Sequence, residues 1–400
     1  MITVALLLAA SPVVVAAYAY FIYPLLLWVV SRRSPSPRGA VGSDPPLVTI
    51  VVPAYNEDAQ IRGAIEALIA QDYPAARRQI LILSDGSTDR TDEIVTEYAA
   101  RGVELLRMPV RAGKTAAENA SIARIRGDIV VNSDASIRLH PSAVRRLVAQ
   151  FADTSVGVAS SRDVSIARES DYSNVTEAGY VGYEMWLRAL ETRAGGIVGA
   201  SGSGYAIRAD LHRIPVRHDL SRDFSAALTA RLHGYKAVSV DDAMCYVPRT
   251  TSPRSEYRRK VRTISRGMDT LLFNRRLLGV REHGLFAWKL ISHKLCRWLV
   301  PFLLIPCAVG LSLLAPSHAF AAILLATGVL VGGLAVIGVW WPASQPMPRV
   351  LSLLTFAVVA NIAVINAAWR VFNGHDDHLW EPTRRVLVAP SLGQSTKSTG

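Results

Sequence analysis

The sequence has few cysteines and few charged residues for its length. Three cysteines occur in 400 residues, and they show no C-x-x-C or Cys/His ligand spacing, which excludes a disulfide framework and a zinc site. Charged residues make up only 19% of the chain and hydrophobic residues 50%, which excludes a disordered protein. Any bound metal must therefore be held by oxygen atoms.

The two commonest phosphate-binding loops are also missing. Neither G-x-G-x-x-G nor G-x-x-x-x-G-K-[ST] follows the first predicted strand, at 48–52. If a phosphorylated ligand binds here, a cation must balance the negative charge of its phosphate. The chain has cations in excess, with 44 Lys and Arg against 32 Asp and Glu, a net charge of +12.

The apolar residues gather at the two ends of the chain, around a middle that is typical of a water-soluble domain. No charged residue occurs from Thr3 to Val30, a run long enough to cross a bilayer. We expect an uncleaved anchor and not a signal peptide, because no Lys or Arg precedes the run. Arg32, Arg33 and Arg38 follow it, which predicts a cytoplasmic middle domain in a multi-pass protein of the cell membrane.

Three further apolar runs, 299–315, 319–341 and 350–372, predict three more spans. Before them, 285–295 alternates cations with apolar residues at helical spacing, which favours a helix in the membrane interface, or alternatively a surface helix. Three late spans would put the tail, with Arg384 and Arg385, outside the cell, against the charge rule. The predicted organisation is an N-terminal anchor (1–31), a Pro-rich linker (32–46), a cytoplasmic domain (47–276), an interfacial amphipathic helix (277–297), a region of about three spans (298–373) and a polar tail (374–400).

The middle domain alternates short β-branched runs with segments of helical period, which predicts an α/β fold with a mainly parallel nucleotide-binding sheet. Predicted strands lie at 48–52, 80–83 and 129–131. A helix over 89–101 should follow the second strand. After the first strand, one stripe at helical spacing predicts a helix packed on the sheet: Ile61, Ala64, Ile65, Leu68 and Ile69.

Polar side chains follow each predicted strand. Asn56 and Glu57 come after the first, Asp85 after the second and Asp134 after the later one. In open parallel sheets the ligand crevice lies outside the carboxyl ends of the strands, so these residues should face one crevice. Each of them alone could be an ordinary turn or cap residue.

Several short motifs, in order along most of the chain, resemble those of the family 2 glycosyltransferases. Among the members, the closest likeness is to the membrane-embedded enzymes related to bacterial polysaccharide, hyaluronan and cellulose synthases, which implies an A-type glycosyltransferase fold with about four transmembrane helices. The motifs are VPAYNE (52–57), SDGSTD (84–89), GKTAAEN (113–119), SDAS (133–136), GSGYAIR (202–208), SRDF (221–224) followed by GY (234–235), RRKVRT (258–263) and WEPTRR (380–385).

The resemblance implies a role for particular residues. It assigns Asp85 to the nucleoside, Asp134 to a divalent metal, Mg²⁺ or Mn²⁺, and Asp223 to the general base. The remaining substrate-binding residues that it implies are Pro53, Tyr55 and Glu57 in the first motif, and Lys114, Arg259 and Arg262 toward the nucleotide and its diphosphate.

Two positions depart from the family pattern. Ser136 stands where the D-x-D motif has its second carboxylate, so metal affinity should rest on Asp134 and the phosphates. Processive members often carry Q-x-x-R-W, but here Arg262 is followed by Thr263, so the tryptophan expected to hold a growing polymer is missing.

The leading hypothesis is an inverting glycosyltransferase that uses a cytosolic nucleotide sugar, such as a UDP-sugar, and a lipid-linked or polysaccharide acceptor at the bilayer, with no nucleic acid partner. One alternative is a non-catalytic assembly or transport subunit, although the predicted spans lack internal charges. Another is a membrane nucleotidyltransferase, which would release pyrophosphate and not a nucleoside diphosphate.

Overall fold

The computed structural model describes residues 1–32, 44–166, 173–248, 253–342, 345, 347–375 and 379. Most of the predicted linker, including Arg33 and Arg38, and most of the tail, including the WEPTRR motif, lie outside these residues. The described helices are α1 (Ile2–Ser31), α2 (Asp58–Ile69), α3 (Thr91–Thr96), α4 (Lys114–Ala120), α5 (Ala143–Ala149), α6 (Ser173–Arg193), α7 (Ala209–His212), α8 (Arg222–Leu232), α9 (Pro253–Phe273), α10 (Val280–His283), α11 (Leu285–Leu314), α12 (Ala319–Val339) and α13 (Arg349–Phe372).

One mixed sheet of eight strands, in the order β3-β2-β1-β4-β7-β6-β8-β5, forms the centre of the described domain. Its first four strands are parallel, as predicted, whereas β7 runs antiparallel to both β4 and β6. The strands are β1 (Val48–Ala54), β2 (Arg78–Ser84), β3 (Val103–Arg107), β4 (Ile129–Ser133), β5 (Arg138–Leu139), β6 (Val156–Ile166), β7 (Gly204–Arg208) and β8 (Lys236–Pro248).

Alternation along β1 explains why helices cover both faces of the sheet. Ile50 and Val52 pack on one face with Ile61 and Ile65 of α2, while Val51 packs on the other face with Ala117 of α4. The predicted apolar stripe of α2 is therefore correct. The helix predicted over 89–101 is shorter, because α3 ends at Thr96 and a 3₁₀ turn covers Ala99–Arg101.

Four described helices, α1, α11, α12 and α13, are long and apolar enough to cross a membrane, which agrees with the number predicted. Helix α11 begins at Leu285 and continues to Leu314, so the segment expected in the interface forms the first turns of a candidate span. Whether these turns lie in the interface stays a prediction. Helices α1 and α11 pack closely, since a Cβ atom on Gly310 would lie 2.5 Å from the Ala5 carbonyl oxygen.

The basic helix α9 connects the domain to the last candidate span. Val261 packs against Ala363 and Ala367 of α13, and the Asn366 amide donates to the Tyr257 hydroxyl at 3.1 Å. This packing fixes α9 beside the domain and the span at once.

Candidate active site

The candidate site lies where the strand order reverses. Strand β1 pairs with β2 up to Ala54, but its pairing with β4 stops at Val51. The strands therefore separate at their carboxyl ends, between β1 and β4, which is where ligands bind in open α/β sheets. The segment after β1 and Asp134 after β4 flank this opening.

Asp85, at the end of β2, holds the loop that leads into α4. Its side chain is buried, and its two carboxylate oxygens accept the backbone N–H groups of Ala112 and Gly113 at 2.7 and 2.8 Å. Lys114 is the next residue. Within the described structure, the Asp85 carboxylate therefore positions the residue that carries the cation of the site.

Lys114 and Asp134 form the central ion pair of the site. The Lys114 ammonium lies 2.5 Å from Oδ1 of Asp134, and both side chains are about three-quarters buried, with 23% and 26% exposed. Burial alone would lower the pKa of Lys114, but the carboxylates of Asp134 and Glu118 raise it above its usual value. Lys114 is therefore a permanent cation at the carboxyl end of the sheet.

Asp223 lies in the first turn of α8, and its carboxylate acts electrostatically on Lys114. The N-cap of α8 is Ser221, whose hydroxyl donates to Oδ1 of Asp223. A Cβ atom on Gly202 would lie 2.9 Å from Oδ2 of Asp223, so only glycine allows the backbone to approach the carboxylate this closely. The structure thus brings together Lys114, Asp134 and Asp223, three of the residues that the resemblance selected; their roles stay predictions.

Arg222 fixes the position of α8 relative to α4. Its guanidinium donates to Oδ1 of Asn119 at 2.6 Å and to the His212 carbonyl at 3.0 Å, and it lies 3.7 Å from the Glu118 carboxylate. Burial raises the pKa of Glu118. These contacts explain why Asp223 and Lys114, on different helices, face the same opening.

The residues of the first motif lie in the last part of β1 and in the segment that follows it. Pro53 lies within β1, beyond the part of this strand that pairs with β4. The Arg111 guanidinium lies 3.9 Å from the centre of the Tyr55 ring. Glu57 is buried and precedes α2. Asn56 has a left-handed φ of +50° and accepts the Thr88 N–H at 2.8 Å, which joins the loops after β1 and β2.

The basic helix α9 carries Arg259 and Arg262, and their role toward the nucleotide stays a prediction. Arg259 donates to Glu256 of its own helix at 2.5 Å, and Arg262 lies on the same helix. Arg266, which the motif comparison did not select, donates to Thr115 at 2.8 Å and to the Leu220 carbonyl at 2.5 Å. Arg266 therefore connects α9 to the segments beside Lys114 and Asp223.

Asp163 on β6 is a carboxylate near Asp223 that sequence reasoning missed. It accepts the Ser201 hydroxyl at 2.7 Å, and its pKa is raised by burial. Its charge also acts on Asp223, across the Gly202 segment. Its strand carries no motif, so no local signal marks it.

The residues present can hold a divalent metal only together with a ligand. No group of three His, Cys, Asp or Glu side chains among the described residues could form a metal site by itself. Asp134 offers one carboxylate and Ser136, a buried neighbour, only a hydroxyl. This all-oxygen set fits Mg²⁺ or Mn²⁺, which commonly bind one or two carboxylates plus substrate phosphates.

Part of the chain matches a known protein family. Residues 49–212 match the family model described as glycosyl transferase family 2. The chain is 28% identical over 193 residues to the beta-monoglucosyldiacylglycerol synthase of Synechocystis and 29% identical over 199 residues to the N-acetylglucosaminyltransferase of Rhizobium sp. strain N33. Each match covers 47% of this chain, which spans 40% and 43% of the length of these two relatives.

One solved structure shares the fold over most of its length. It is the mannosyltransferase from Pyrobaculum calidifontis, determined in complex with GDP-Man and Mn²⁺, with a TM-score of 0.69 and 23% sequence identity. The likeness covers 92% of this chain and 99% of that one. It therefore includes the candidate spans as well as the sheet.

Proposed function

We propose that this chain, in which residues 49–212 form a glycosyltransferase family 2 domain, is an inverting glycosyltransferase that moves a sugar from a nucleotide sugar to a membrane-associated acceptor. The observation that carries the proposal is the grouping of Lys114, Asp134 and Asp223 at the opening between β1 and β4. The candidate spans support an acceptor at the bilayer, in glycolipid or polysaccharide synthesis.

The charges at the opening match the charge that the reaction leaves behind. When the bond from the sugar to the diphosphate breaks, the nucleoside diphosphate departs with the electron pair and keeps its negative charge. A fixed cation stabilises that charge best when it is already in place, because no reorganisation is then needed. Lys114 is held in this way by Asp134 and by the loop that Asp85 anchors.

The acceptor side requires a proton acceptor. In the proposed step, the Asp223 carboxylate takes the proton of the acceptor hydroxyl while the acceptor oxygen bonds to the sugar carbon. Direct attack from the side opposite the diphosphate inverts the configuration of that carbon. The Ser221 hydroxyl orients the carboxylate, and Gly202 leaves room beside its second oxygen.

A divalent cation, when bound, would neutralise the diphosphate further. Asp134 would hold it, with the phosphates as the other ligands. The mannosyltransferase of the same fold was solved with Mn²⁺, which supports this assignment.

We expect turnover to require a divalent metal. Excess chelator should abolish transfer, and Asp134→Ala should lose both transfer and metal-dependent nucleotide binding, measured by calorimetry with and without Mn²⁺. Because one carboxylate is a weak site, metal binding should be detectable only when nucleotide is present. Asp153→Ala, which breaks a surface pair with Lys236 at 2.8 Å, is the matched control and should change neither property. Full turnover in chelator contradicts the prediction.

The proposal itself is tested by incubating membranes that contain the chain with a panel of radiolabelled nucleotide sugars, UDP- and GDP-linked donors included. Label should enter lipid or polymer, with release of a nucleoside diphosphate. Release of pyrophosphate would instead identify a nucleotidyltransferase, and no transfer from any donor would favour an assembly or transport subunit.

We also propose that the domain faces the cytoplasm, where nucleotide sugars occur and on the side that Arg32 indicates. A reporter enzyme that is active only outside the cytoplasm, fused near residue 150, should therefore stay silent. The same reporter fused ahead of Ile2 should be active. Activity of the fusion near residue 150 contradicts the orientation and, with it, the cytosolic donor.

A further inference from the structure

An apolar groove of about 570 Å³ opens beside the first candidate span. Residues of α1 between Val13 and Phe21 line one wall, and Tyr180 and Tyr183 of α6 line the other. The tyrosine hydroxyls are its only polar side-chain groups among the lining residues, and the Tyr183 hydroxyl donates to the Tyr20 carbonyl at 2.9 Å. The lining is therefore suited to hydrocarbon and not to a sugar.

The level of the groove along α1 indicates where it lies in a membrane. The part of α1 that precedes Tyr20 rises roughly 27 Å, close to the thickness of a bilayer core. Tyr and Trp side chains then gather, with Tyr23 packed against Trp288 at 5.1 Å and Trp288 donating to the Tyr18 hydroxyl at 2.8 Å. Such residues are enriched at the membrane interface, so the groove lies where lipid chains meet the headgroups.

Two cationic side chains, Arg297 and Lys294, lie between the groove and Asp223. The Arg297 guanidinium lies 5.0 Å from the Tyr20 ring centre and 5.5 Å from that of Tyr183, two residues that line the groove. Lys294 precedes it by one helical turn on α11, and its ammonium lies 5.6 Å from the ring of Phe224, the residue after Asp223. In the described part of the chain, the Lys294 ammonium forms no hydrogen bond or ion pair.

Positive charge is in excess around Lys294. Glu184 pairs with Arg297 at 3.1 Å and with His293 at 2.8 Å, so it is already shared. Partly buried cations are costly unless an anion balances them. Apart from His293, the cluster has four cations and three carboxylates, an excess of one cation: Arg188, Lys289, Lys294 and Arg297 against Asp163, Glu184 and Glu191.

We infer that this groove binds the hydrocarbon chain of a lipid acceptor and that the lipid's phosphate headgroup lies between Arg297 and Lys294, with its acceptor end toward Asp223. The apolar walls fit the chain, and the cation excess fits the phosphate. The acceptor role rests on the proposed function, whereas lipid binding does not.

The test uses the full chain in phosphatidylcholine nanodiscs and an octadecyl phosphate that carries a photoactivated diazirine in its chain. Label should appear in peptides 13–21 and 180–183. Octadecyl phosphate should displace it, whereas inorganic phosphate should not. Octadecanol should displace it at least about tenfold less well, because it lacks the charge-assisted contacts that the phosphate makes with Arg297 and Lys294. No nucleotide sugar is present, so nucleoside diphosphate release, measured separately, reports on the proposed function alone.

Variants separate the groove from the rest of the lipid-facing surface. Ala17→Trp should fill the groove and remove the label, whereas Ala10→Trp, at an exposed position on α1 outside the groove, should keep it. Lys294→Gln should reduce the preference for phosphate over octadecanol, because only Arg297 then remains to contact the phosphate. Lys294→Arg and Arg281→Gln, which removes the same charge at an exposed site, should keep it.

The inference is overturned if octadecanol competes as well as octadecyl phosphate, if inorganic phosphate competes, or if Ala17→Trp labels like Ala10→Trp. Thermal unfolding of each variant identifies any that fails to fold. If Lys294→Gln is such a variant, the comparison of competitors on the wild-type chain decides the point.

Discussion

Asp223→Asn should lower the rate of sugar transfer by about 10²–10⁴-fold, or roughly 3–5 kcal/mol of barrier, without weakening nucleotide binding. Asparagine has the same size and can still accept the Ser221 hydroxyl, but it cannot take a proton at neutral pH. A purely structural role predicts a much smaller loss. Ser221 and not Asp223 is the N-cap of α8, so the carboxylate contributes at most its attraction to the helix dipole, about 1 kcal/mol or less.

Asp219→Asn is the matched control, because it makes the same chemical change four residues earlier, where the carboxylate pairs with Arg217 at 2.5 Å. Initial rates at saturating donor, nucleotide affinity and thermal unfolding should be measured for both variants. If Asp223→Asn transfers sugar at the wild-type rate, Asp223 is structural and the buried Asp163 becomes the next residue to test as the base.

The parts of the fold that could be predicted are those that local pattern determines. β-branched runs identified β1, β2 and β4, since each is buried on both faces and needs no partner to be recognised. Helical spacing identified α2, because the apolar stripe on its one buried face can be recognised in the sequence alone. The motifs likewise resemble those of the family 2 glycosyltransferases, and residues 49–212 match the model of that family.

The parts that could not be predicted depend on contacts between distant segments. The bond from Arg222 to Asn119 joins residues 103 positions apart, and no periodicity marks it. Arg266 reaches Thr115, which is 151 positions away, and only the packing of α9 decides this contact, whereas Arg259 binds Glu256 within its own helix. The antiparallel direction of β7 could not be predicted either, because a short apolar run is compatible with both strand directions.

Lys114 lies in a motif that the sequence shows, but its contact with Asp134 depends on the fold. Its replacement is expected to have the second of the two largest effects on activity. Lys114→Gln should lower kcat/KM by about 10²–10³-fold, the usual cost of removing one fixed group that stabilises developing negative charge. It also leaves Asp134 without the ammonium that now lies 2.5 Å away. Lys114→Arg keeps the charge and should recover part of the activity.

Lys236→Gln gives the matched control, because it also removes a lysine from a pair with an aspartate, at 2.8 Å, but on the surface, where such pairs contribute about 1 kcal/mol or less. Added Mn²⁺ provides the decisive comparison. If Lys114 acts on the diphosphate directly, excess Mn²⁺ should not restore Lys114→Gln, since the metal and the lysine stabilise the leaving group from different positions. Full recovery in Mn²⁺ would mean that Lys114 serves only to hold Asp134 in place, and the lysine would then be a positioning residue for the metal ligand.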